Sequence, residues 1–134
     1  MFERVRSLGF KIMGKEASVH GLWERFGDDF EGCVILVEEV AEGLRGRITY
    51  VPATMRRFGW MVGDIKWRNM RRGRVAAFKV DDLFKELDHD TQKLKKTTYE
   101  EARIYFLSDS ELIVMAGSRG RPTRWRRSGS VSKK

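Results

Sequence analysis

A single cysteine, Cys33, is all the sulfhydryl chemistry this 134-residue chain has, so no intramolecular disulfide can form, and a reducing compartment fits. Cys33 lies in the apolar run Gly32-Cys33-Val34-Ile35-Leu36-Val37 with no cationic neighbour in sequence, which predicts a small buried residue and not a reactive thiol. Long hydrophobic runs are also missing: none approaches the roughly 18 apolar residues of a membrane span. Met1-Phe2-Glu3-Arg4 opens with mixed charge, and Lys11 and Lys15 interrupt any apolar leader core, so a cytoplasmic chain is the expectation unless a leader has been removed. Catalytic signatures are equally scarce. There is no Cys-x-x-Cys, phosphate-binding loop, dinucleotide-binding glycine fingerprint or nucleophile elbow. The two histidines, His20 and His89, are far apart in sequence. His89 stands between Asp88 and Asp90, which reads as an exposed loop tip more readily than as a metal site or an acid–base pair. Asp81-Asp82 reads as turn chemistry after a strand. No cofactor, no metal and no enzymatic activity are implied.

What is present is charge, alternation and tryptophan. The net charge is +8, and from Arg119 to Lys134 seven basic residues stand without an acid, so that segment holds all but one of the net positive charges. Two further blocks oppose each other. Between residues 56 and 74, Arg56, Arg57, Lys66, Arg68, Arg71, Arg72 and Arg74 face only Asp64. Between residues 24 and 42, seven carboxylates face only Arg25. A chain this polar in charge could bind nucleic acid, steer a protein partner or pair its charges across strands.

Short alternating segments punctuated by turn residues run from Gly21 onward. Gly21–Phe26, Cys33–Val40, Leu44–Val51, Gly63–Met70, Val75–Val80, Ala102–Leu107, Leu112–Ala116 and Thr123–Arg127 each read as a strand. Polarity rises between Leu83 and Thr98. Gly46 falls on an inward position, where a missing side chain permits a bend or a close neighbour. In Gly63–Met70, alternation points Ile65 and Trp67 inward and Asp64, Lys66 and Arg68 outward. About eight or nine short strands at regular spacing predict a mainly β protein: a single antiparallel up-and-down barrel of about eight strands, whose closure pairs the two edges. Residues 1–20 are expected as a helix or lid, on the spacing of Phe2, Val5 and Ile12. Residues 21–128 form the barrel, and 129–134 a disordered basic tail.

Gly21-x-Trp23, Gly63-Asp64-x-Lys66-Trp67-x-Asn69 and Trp125-x-Arg127 give the chain a resemblance to the small lipocalin-like barrels of the calycin superfamily. The resemblance implies that Trp23 packs at one end of the barrel beneath a basic side chain of the last strand, Arg126 or Arg127, with Trp125 beside them. The resemblance implies an architecture; the function expected of the chain is a non-enzymatic lipocalin-like barrel that binds a small apolar ligand or a protein partner.

Two candidate sites follow. Tyr50, Trp67, Phe78, Ile104 and Phe106 fall inward on the alternation, where they either line a ligand cavity or fill the core. Alternatively, Arg57, Lys66, Arg68, Arg71, Arg72 and Arg74, if the barrel sets them beside Arg121 and Arg124, make a phosphate-binding surface for nucleic acid.

Overall fold

The computed structural model describes residues 11–12, 15–16, 18–88, 90–117 and 121–129. Lys11–Ile12 (β1) and Lys15–Glu16 (β2) pair as a short antiparallel ladder. The expected N-terminal helix and the disordered tail fall otherwise on residues outside those described, as does His89.

The alternating segments become β3 (Gly21–Phe26), β4 (Val34–Val40), β5 (Gly43–Tyr50), β6 (Ile65–Arg72), β7 (Phe78–Leu87), β8 (Leu94–Ser108), β9 (Glu111–Ala116) and β10 (Thr123–Arg127). Each pairs antiparallel with the next, and β10 returns to pair with β3, closing an eight-stranded up-and-down barrel. Closure leaves none of these eight strands with an unpaired edge. Trp23, Trp67 and Trp125 are fully buried inside, with Ile35, Ile48, Val80, Ile104 and Leu112 among the apolar residues around them. No helix among the described residues is long and apolar enough to cross a membrane.

Three expectations change. Asp81-Asp82 is not a turn. β7 runs through Asp81 and Asp82 to Leu87, and ten residue pairs tie it to β8, from Phe78↔Ile104 to Leu87↔Leu94. Its charges belong to a two-stranded ribbon rather than to turns. The segment after Pro52 contains a short helix, α1 (Ala53–Arg56), which buries Met55.

The third change concerns faces. A β-bulge adds a residue to one strand and reverses the side-chain sense beyond it. Val34 pairs with Tyr50 and Ile35 with Ile48, so Thr49 is extra. Tyr50 consequently points out, 53% exposed, and Val51 takes the buried position instead. Likewise Gly46 pairs with Trp67 and Arg47 with Ile65, making Lys66 the extra residue on β6. Lys66 and Trp67 are both buried, whereas Ile65 is only partly so. Gly46 makes room for this arrangement: a Cβ there would lie 2.8 Å from Trp67 Cε3 and 3.0 Å from an Ile35 methyl carbon.

Candidate functional site

Antiparallel order sends alternate connections to opposite ends of the barrel. At one end lie the start of β3, the end of β10 and the β8–β9 turn. Trp23 plugs that end: its Nε1 donates to the Val19 carbonyl at 2.9 Å, and its ring packs near Phe106 at 6.2 Å. Arg127 lies over the indole, 4.2 Å from guanidinium carbon to ring centroid. Its guanidinium donates to the main-chain carbonyls of Asp109 at 3.1 Å, His20 at 2.6 Å and Ser18. Trp125 and Arg127 share the inward sense of β10. Arg126 turns outward to stack on Phe26 at 4.9 Å and approach Glu24 at 4.0 Å. Between the two arginines, Arg127 is therefore the one that caps Trp23.

The other end is a mouth framed by the loops 27–33 and 51–64 and by residues 121–122. It holds a cavity of about 830 Å³ whose lining includes Phe26, Phe30, Phe58, Trp60 and Phe84. Phe30 and Phe58 meet at 5.7 Å between centroids. Cations line it as well: Arg25, Lys66, Lys85, Arg121 and Arg124, of which the first three pair with carboxylates at its wall. Arg25, which shares the inward sense of Trp23, gives its Nε to both oxygens of Asp28 at 3.0 and 2.9 Å and lies over Phe30 at 5.1 Å. Lys66 donates to Asp82 at 2.7 Å and to the Leu83 carbonyl at 2.8 Å. Lys85 meets Asp64 at 2.8 Å and donates to the Gly59 carbonyl at 2.8 Å. Trp60, itself buried, has the Lys66 ammonium at 5.1 Å and that of Lys85 at 5.4 Å from its ring. Lys66 and Lys85 thus tie the loop before β6 to the β6–β7 wall, with the indole of Trp60 at the centre.

Cys33 belongs to this neighbourhood. Burial pushes its thiol pKa up to about 12, against the smaller opposing pull of Arg25 and Lys66, so it is an apolar filler and not a nucleophile at neutral pH. Deeper in, Trp67 packs edge-on against Trp125 at 5.1 Å and 72°. Trp125 Nε1 donates to Thr123 Oγ1 at 2.9 Å, but the Nε1 of Trp67, fully buried, has no hydrogen-bond partner among the described residues. A buried donor left so costs about 1–3 kcal/mol.

The apolar candidates read from sequence divide clearly. Trp67, Phe78, Ile104 and Phe106 are buried and belong to the filled interior, Tyr50 is outside, and none of the five lines the mouth cavity. Of the aromatic residues that do line it, Phe30, Phe58 and Trp60 sit on loops and Phe26 ends β3, where alternation carries little information, and Phe84 lies within the polar stretch that becomes β7. Asp82 and Lys85 were hidden in the polar stretch, and Trp60 in a loop. The flanking Gly59 and the nearby basic residues were the available signal for Trp60.

The basic candidates do not converge. Arg68 and Arg71 lie on the outer face of β6, 3.7 Å each from Asp81, with Arg71 also 3.7 Å from Glu101. Arg68 stacks on Tyr99 at 3.5 Å. Arg72 ends β6 and Arg74 follows it, toward the sealed end, whereas Arg57 caps α1 at the mouth and lies 5.7 Å from the Phe58 ring. Arg121 and Arg124 line the mouth cavity. Strand β6 is four strands from β10 in a ring of eight, so the two arginine groups stand on opposite walls. Lys66 is buried at 7% exposure and leaves the set altogether. Among the described residues, no group of three or more His, Cys, Asp or Glu side chains is arranged to hold a metal ion. Asp88 instead accepts from the main-chain nitrogens of Asp90 and Thr91, which lowers its pKa and fixes the β7–β8 turn.

Fold and site together define a closed eight-stranded antiparallel barrel, consistent with a lipocalin-like fold, with one end plugged and an aromatic-lined mouth at the other. Compared with family models, curated proteins and solved structures, the chain matches none.

Proposed function

We propose that this chain is a non-enzymatic binding barrel of calycin type that takes a small apolar molecule into its mouth. The observation that carries the reading is the asymmetry of the two ends. One is plugged by Trp23 under Arg127, while the other holds a cavity of about 830 Å³, within the usual range for small-molecule sites, with Phe30, Phe58 and Trp60 among its lining residues. Aromatic walls with a few fixed polar groups suit a ligand that is mostly apolar. The alternative reading, a nucleic-acid-binding module, has its candidate arginines on opposite walls.

Titration with the neutral fluorophore N-phenyl-1-naphthylamine tests the proposal. Saturable enhancement with one site per chain, weakened by Phe30→Ala and Phe58→Ala, is the expected result. Absence of any saturable binding would overturn it and leave a protein partner. Tight, salt-sensitive binding of duplex or single-stranded nucleic acid, lost in the Arg71→Glu/Arg72→Glu double variant, would favour the alternative instead.

A further inference from the structure

We propose that the overhanging edge of β8 pairs with the same edge of a second copy of this chain, antiparallel about a two-fold axis at Thr98. The inference is independent of what enters the mouth.

Closure gives each strand of the barrel a neighbour on both sides, but β8 outruns one of its two. It pairs with β7 from Leu94 to Ile104 and with β9 only from Ala102 to Ser108. Among the described residues, no strand pairs with β8 from Leu94 to Tyr99 on the β9 side, so this edge runs on for about 15–20 Å past the end of its neighbour. An antiparallel strand turns its N–H and C=O groups alternately to its two flanks, and an unpaired flank is a template for another strand. The β7 flank of the ribbon is backed by the loop before β6, through Lys85 to the Gly59 carbonyl and to Asp64, each at 2.8 Å. The open flank is that of β8, where Lys96 and Thr97 are exposed.

The residues of this edge decide what fits it. Edges are commonly blunted by proline, by lysine or by a bulge. Lys96-Thr97-Thr98-Tyr99-Glu100 has no proline or glycine, and its centre consists of strand-favouring residues. Lys96 alone would repel a like edge. Glu100 at the other end makes the segment complementary to its own reverse. Set antiparallel, Lys96 stands opposite the partner's Glu100, Thr97 opposite the partner's Tyr99 and Thr98 opposite the partner's Thr98. Opposite charges then face each other at both ends of the ladder, whereas a parallel arrangement would set lysine on lysine and glutamate on glutamate.

The ladder also has a built-in stop. Leu87 pairs with Leu94 and Glu86 with Lys96, so Lys95 is a bulge, and a bulge bends its strand. One step further, the place opposite Ala102 is already held by Ala116. The incoming strand therefore bends away where a straight one would collide. Two-fold pairing consumes both edges and gives a dimer, not a fibre. So short a ladder is small for an interface, which makes the dimer reversible and concentration-dependent.

Sedimentation velocity on the full chain between about 5 µM and 1 mM tests this, since a small interface associates only toward the upper end. The expected result is a monomer–dimer equilibrium. Lys96→Glu and Glu100→Lys should each weaken it about tenfold or more, because like charges then face each other at both ends. The double variant should restore it, with circular dichroism reporting the fold of each. Thr98→Cys gives a readout independent of charge. Directly opposed Cα atoms lie about 4.5–5.5 Å apart, within disulfide range, so mild oxidation should link two copies faster than it links Lys79→Cys on the outer wall. Cys33 is buried and stays out of the reaction. If the charge variants do not fold, the Thr98→Cys link decides alone. A monomer at every concentration would overturn the proposal and leave the edge to a foreign strand. A dimer undiminished in both single charge variants, or a Thr98→Cys link no faster than the control, would also overturn it.

Discussion

At the sealed end the cation is Arg127 and its acceptors are main-chain carbonyls. At the mouth Arg25, Lys66 and Lys85 each pair with a carboxylate on another side chain, and Lys66 and Lys85 each add one main-chain carbonyl. The same attraction is used in two ways. A carbonyl is fixed by the fold and cannot rotate away or titrate, so Arg127 locks the segment before β3, the β8–β9 turn and β10 into one plug. A carboxylate sits on its own rotamers and can exchange partners, so these pairs can loosen without undoing the barrel.

The largest expected effect is at the plug. Trp23→Ala should cost about 3–5 kcal/mol, the usual range for emptying a buried tryptophan site. Arg127→Ala should cost about 2–3 kcal/mol, because three carbonyls lose a charged donor and the indole loses its cover. Urea unfolding should show both as a lower midpoint at unchanged slope. At the mouth, Lys66→Met should cost about 1–3 kcal/mol, less than the loss of a fully buried ion pair, because the Asp82 side chain keeps 15% of its surface in solvent. Adding Asp82→Leu should restore most of that loss, since the pair then leaves together. If Lys66→Met proves as costly as Trp23→Ala and the double variant does not recover, the mouth is as structural as the plug.

Midway between the ends, Gly46→Ala should cost about 1–3 kcal/mol through overpacking against Trp67 and Ile35, visible as a lowered melting temperature. Cys33 tests how dry the mouth's interior is. Its thiol ionises near the usual value in the unfolded chain but only at about 12 when folded, so its contribution to stability is full below about pH 9 and declines as pH rises toward 12. Between pH 9 and 10 the wild type should therefore lose up to about 1.4 kcal/mol per pH unit more than Cys33→Ala, and the native thiol should resist a thiol-specific reagent at neutral pH. The smallest effect belongs to the outer wall. Arg71→Ala should change stability by less than about 1 kcal/mol, because its contacts with Asp81 and Glu101 are long and partly exposed.

The barrel was legible because alternation is a strong signal wherever one face of a strand is buried. Trp23, Trp67 and Trp125 fell inward as their spacing required, and Gly46 lay where a large neighbour needed space. Bulges defeated the same reasoning, since an extra residue carries no mark in the sequence yet reverses every face beyond it. That is why Tyr50 lies outside and Lys66 inside. The long β7–β8 ribbon escaped because its charges hid an alternation whose pairing partner lies across the hairpin. Trp60, Phe30 and Phe58 sit on loops, where periodicity says little about direction.

Pattern and composition thus decided that this chain would close into an antiparallel barrel with tryptophans inside and charge outside, because burial imposes a period of two on any half-buried strand. Which cation meets which anion, which aromatic residues ring the mouth, and which indole is left without an acceptor were decided by register. Register is a property of strands meeting in space, and a single inserted residue resets it.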